Sequence, residues 1–166
     1  LNTDSFPKSL HPLLRAFRVD FKAQTPPSPT RLLFASAVAM VGSLLADWLL
    51  VKLGTHVFPS TRGFVHFQFS DYARLTIIGV AIACAGWPLV TTITSQPRRL
   101  FLQAAVAITI VLLAPDLYIW HNGASGPAVF VLVWMHLAIA VVTYCALVYL
   151  APAGRPRRTR HAQHAR

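Results

Sequence analysis

Residues 31–47, RLLFASAVAMVGSLLAD, and residues 99–116, RLFLQAAVAITIVLLAPD, decide the fold. Each opens on an arginine, runs through small and apolar residues, and closes on an aspartate. A helix needs about 20 such residues to cross a hydrocarbon core of roughly 30 Å, so each stretch is the body of a membrane span. The two also match one another. Arg31–Ala46 and Arg99–Ala114 align without a gap, sharing Arg, Leu, Ala-Val-Ala and Leu-Leu-Ala, and the inserted Pro115 brings Asp116 level with Asp47.

Composition supports the same class. The 166 residues are 55% apolar and 12% charged, with a formal net charge of +10. A soluble domain carries about twice that charged fraction. Arginine outnumbers lysine twelve to three, and the Ala- and Pro-rich composition is that of a GC-rich genome. Cys84 and Cys145 lie singly in apolar runs and read as helix-facing structural thiols rather than a disulfide or metal pair. No signal-peptide pattern opens the chain, and Leu1 is expected to follow a missing upstream segment.

Apolar runs of spanning length fall at 32–53, 75–94, 100–120 and 128–150. The expected fold is therefore all-α, a polytopic membrane protein of four transmembrane helices arranged as two helical hairpins. Three regions follow: residues 1–30, a cytoplasmic amphipathic helix with a Pro-rich linker; 31–151, the membrane domain; and 152–166, a basic disordered cytoplasmic tail. Twelve of the fifteen basic residues lie before the first span, between the second and third (Arg98, Arg99), or after the fourth. The positive-inside rule then puts both termini in the cytoplasm of a bacterial inner membrane and the loops 54–74 and 121–127 outside. The matched stretches would run in the same direction, as in a parallel repeat; chance similarity between Ala-, Leu- and Val-rich helices is the alternative.

Three surfaces are candidates for docking. If residues 12–23 are helical, Leu13, Leu14, Phe17 and Phe21 form an apolar stripe flanked by Arg15 and Arg18, suited to anionic headgroups or to a partner protein. The loop between the first two spans carries Phe64, Phe67 and Phe69, an aromatic-belt composition in a short extended or interfacial segment. The basic tail is explained by topology and anionic lipid, so nucleic acid is not an expected partner.

Polar residues inside the spans are the remaining candidates. Asp47 and Asp116 lie about 24 Å from their matched arginines, near the outer interface, where a structural ion pair with Arg74, Arg62 or Lys52 is the expected arrangement and proton relay or ligand binding the alternative. His136 is the one histidine well inside a span, about 12 Å from the start of the fourth run, and is expected to hydrogen-bond a neighbouring helix through a Ser or Thr. A membrane b-type haem takes two such histidines on facing helices, so no cofactor is expected. His56, His66 and His121 match no zinc spacing, and no metal is expected. No catalytic motif is present, and the chain reads as a non-enzyme.

With "RRLFLQAAVAITIVLLAPD" and "FVLVWMHLAIAVV" in view, the chain resembles a broad set of small four-helix membrane proteins of actinobacteria with no assigned function. The resemblance rests on Arg98 and Arg99 before the third span and on Met135, His136 and Leu137 in the fourth. It covers roughly Arg31 to Leu150, leaving out the amphipathic piece and the aromatic loop, and it implies topology without catalytic residues. The expected role is a non-enzymatic accessory or scaffold subunit of a larger inner-membrane complex. An envelope lipid transporter of the Mce type is the first expectation for the host and a respiratory complex the second; a lipid-, quinone- or haem-binding protein is the alternative.

Overall fold

The computed structural model describes residues 24–154. The amphipathic stripe Leu13, Leu14, Arg15, Phe17, Arg18 and Phe21, and the tail from residue 155, lie outside the described residues. The described residues form four long helices: α1 (Pro29–Val57), α2 (Phe69–Ile93), α3 (Pro97–His121) and α4 (Gly126–Cys145), the last continuing as a π-helix over Ala146–Leu150. All four are long and apolar enough to cross a membrane.

Local chemistry sets the helix ends. Proline stands in the first turn of α1 (Pro29), α3 (Pro97) and α4 (Pro127), where its fixed φ suits the helix and its missing N–H is not needed. Pro59 follows the end of α1 and forces the residue before it out of helical geometry. Gly123, at φ 95°, ends α3 in the left-handed conformation that glycine adopts without a Cβ clash. Two helices extend beyond their apolar runs: α1 continues past Leu53 to Val57, and α2 starts at Phe69 rather than near residue 75. The connection between them shortens to residues 58–68 and folds as two 3-10 turns, Pro59–Thr61 and Val65–Phe67, instead of an extended segment.

Helix α1 packs on α2, and α3 on α4; the most extensive contact, α1 against α4, joins these pairs, while α2 makes smaller contacts with α3 and with α4. The inner stripe of α1 is Ala35, Ala39, Ser43 and Asp47, all fully buried. Small side chains four apart let helix backbones approach closely where lipid supplies no hydrophobic drive. Under the sequence match these positions correspond to Gln103, Ala107 and Val111 of α3, which are exposed. The matched stretches therefore present opposite faces, and only the residue inserted at Pro115 turns Asp116 inward.

The interior is layered. Near the end holding Arg98, Ala35, Trp87, Phe101, Leu147 and Val148 pack together, with Ala39, Val80 and Ala146 above them. Phe67, Tyr72, Ala73, Ala128, Val131, Leu132 and Met135 fill the opposite end, which carries the connections 58–68 and 122–125 and is here termed the loop end. Polar groups lie between these layers.

Gly54 marks a close approach of α1 to α4. A Cβ there would lie 2.6 Å from Val131 Cγ2 and 3.2 Å from its Cγ1. Gly54→Val is expected to destabilise the bundle by about 1–3 kcal/mol through overpacking, and adding Val131→Ala should restore part of the loss, as read by reversible unfolding in mixed micelles.

Candidate functional site

One side chain from each helix enters the polar layer: Asp47 from α1, Thr76 from α2, Asp116 from α3 and His136 from α4. Asp47, Thr76 and Asp116 are buried and His136 is half-buried. Counted at 1.5 Å per residue from the loop-end termini, the four lie about 8–15 Å inside the bundle. Asp47 is thus deeper than its apolar run implied, because α1 extends ten residues past it to Val57.

Thr76 Oγ1 donates to Asp47 Oδ2 at 2.6 Å, a short bond of the kind a hydroxyl makes to a carboxylate. His136 Nδ1 lies 2.9 Å from the carbonyl oxygen of Leu132, one turn earlier in α4, and 3.2 Å from Asp116 Oδ2. A carbonyl only accepts, so Nδ1 carries the hydrogen. That hydrogen is committed to Leu132, and the Asp116 contact, although close, is not aligned as a hydrogen bond. Asp47 Oδ1 and Asp116 Oδ2 are consequently buried without a hydrogen-bond partner. Asp47 is also within Coulombic range of His136 and Tyr72, and Asp116 joins this set through its contact with His136. One turn toward the Arg98 end, the hydroxyls of Ser43 and Thr143 lie 3.3 Å apart, joining α1 to α4.

The geometry replaces the expected outer-face ion pairs. Arg74 is exposed, and the only ion-pair contact among the described residues is His136 with Asp116. The partners of His136 are thus a carboxylate of α3 and its own helix's carbonyl, rather than a Ser or Thr. Thr76 escaped the sequence reading; the available signal was a hydroxyl placed in the loop-end half of the second span. Among the described residues, no three His, Cys, Asp or Glu side chains are grouped to hold a metal ion.

At the loop end, Phe64 meets Phe67 edge to face at 5.2 Å, and Phe69 meets Tyr72 at 5.4 Å. Phe67 is buried and Phe69 is exposed. These rings border a groove of about 370 Å³ between α1 and the loop, lined on its polar side by Lys52, Thr55, Gln68 and Tyr72. Lys52 Nζ lies 5.9 Å from the Trp48 ring centroid, within cation–π range.

A family profile described as a family of unknown function, DUF6069, matches residues 15–153. The chain belongs to DUF6069. The DUF6069 match takes in all four helices, the aromatic loop and the segment from residue 15, so the loop and that segment are parts of the family pattern. No curated protein and no solved structure matches the chain.

Proposed function

We propose that this DUF6069 chain is a non-enzymatic, multi-pass subunit that packs into a larger inner-membrane assembly, with both termini cytoplasmic. The observation that carries this reading is the open glycine face of α2. A Cβ added at Gly79 or Gly86 would meet nothing within 4 Å, and the two glycines, seven residues apart, share a face of the helix. Close backbone approach is the main source of helix association in lipid, and a glycine face turned outward offers it to a helix of another chain. The arginine distribution supports the orientation. An envelope lipid transporter of the Mce type is the proposed host, ahead of a respiratory complex, by analogy with the actinobacterial resemblance.

Tagging the chain at its native locus, solubilising membranes gently and identifying stoichiometric co-purifying proteins tests this. The expected result is a defined membrane complex that is lost in Gly79→Leu and Gly86→Leu variants that still fold. Recovery of the chain alone overturns the subunit reading.

A further inference from the structure

We propose that Asp47, Asp116 and His136 form one shared proton-binding site inside the bundle, loaded from the loop end through the groove beside Tyr72. This does not depend on whether the chain has a partner subunit.

The first argument is charge. Two carboxylates and a neutral imidazole carry two negative charges, and burying uncompensated charge in a membrane interior is expensive. Neutrality takes two protons, for which three positions exist: Asp47, Asp116 and Nε2 of His136. Two protons distributed over three interacting positions belong to the set rather than to any member. Donors are also too few. Thr76 supplies one bond to Asp47, the Nδ1 hydrogen is given to Leu132, and Asp47 Oδ1 and Asp116 Oδ2 are left open as acceptors for a proton.

The second argument is access. Val51 lines the groove four residues along α1 from Asp47, and Tyr72 lines it four residues along α2 from Thr76. The groove floor therefore lies one helical turn from the Asp47–Thr76 pair. Tyr72 belongs to both, since it also interacts electrostatically with Asp47. The groove has room for several waters. Toward the Arg98 end the layer is closed by the Ser43–Thr143 contact and then by Ala39, Val80 and Ala146. The groove thus approaches the site from the loop end, with the packed rings of Phe67 and Tyr72 between them. The titratable groups facing it are Asp47 on α1, Tyr72 on α2, Asp116 on α3 and His136 on α4, with Lys52 in the groove. Because its members come from different helices, proton loading acts on the packing of the whole bundle.

The test is pH-dependent infrared difference spectroscopy of the full-length protein in lipid nanodiscs, with NMR of the His136 ring in the same samples. The chain has five aspartates and no glutamate, so its side-chain carboxyl bands can be assigned to five residues. A titrating protonated-carboxyl band is expected to persist when Asp4, Asp20 and Asp71 are all changed to Asn. It should be about halved by Asp47→Asn or Asp116→Asn and lost in the double variant. The His136 signal should move over the same pH range, with a midpoint that changes in either single variant. Thr55→Trp, which fills the groove, should slow hydrogen–deuterium exchange of the band. Absence of a titrating band, its survival in the double variant, or a His136 midpoint indifferent to both aspartates overturns the shared site; an exchange rate unchanged by Thr55→Trp overturns the groove as its route.

Discussion

Trp87→Ala is expected to lower the stability of the bundle by about 3–5 kcal/mol, the range for removing a large buried aromatic side chain. Trp87 is fully buried on α2, and its ring centroid lies 5.1 Å from that of Phe101 on α3. Its Nε1–H donates to the carbonyl of Ala151 at 2.7 Å, tying α2 to the chain leaving α4. Two further bonds close this end: Gln24 N–H donates to Thr91 O and Gly154 N–H to Thr25 O, so the segments flanking the bundle meet there. Trp87→Phe keeps most of the ring but deprives the Ala151 carbonyl of its donor, and about 1–3 kcal/mol is expected for that alone. Reversible unfolding of both variants in mixed micelles separates ring from hydrogen bond. A loss below about 1 kcal/mol for Trp87→Ala would mean that this end is held by the chain segments and not by the indole.

The four spans and their helical class were legible because hydropathy depends only on local composition, and each span is a continuous apolar run. Helix ends were less so. The first apolar run ends at Leu53, whereas Gly54, Thr55 and His56 carry α1 on to Val57, and polar residues at a helix end read as loop although their side chains can reach an interface. That error moved Asp47 outward and paired it with basic residues instead of Thr76. The repeated stretch misled for a related reason: similarity along a helix does not fix rotation about its axis. Ala35, Ala39 and Ser43 face inward while Gln103, Ala107 and Val111 face outward, so one extra residue before Asp116, worth about 100° of rotation, matters more than eight identities. Asp47, Asp116 and His136 were each recognisable as polar groups in apolar surroundings. Their convergence was not, because it depends on which faces of four helices meet.

His136→Leu is expected to destabilise the bundle by about 3 kcal/mol, the low end of the range for removing one partner of a buried pair, since His136 is half-buried. The variant leaves Asp116 in the interior without the ring 3.2 Å from its Oδ2 and removes the side-chain bond that the Leu132 carbonyl accepts from Nδ1–H beside its helical one. Asp116→Leu removes the carboxylate instead and should cost less, because the Nδ1–H bond to Leu132 survives. The double variant is expected to lie near wild type or above it, as well-packed apolar replacements of a buried polar pair often do. The resulting double-mutant cycle, measured by the same unfolding assay, should show a coupling of about 1–3 kcal/mol. Near-additive losses would mean that His136 serves α4 through Leu132 and that Asp116 answers to other groups. A double variant as stable as wild type but without the titrating carboxyl and imidazole signals of the shared site would separate the fold's requirements from the site's. Packing would then tolerate leucine at both positions, leaving proton binding as the property that aspartate and histidine supply and leucine lacks.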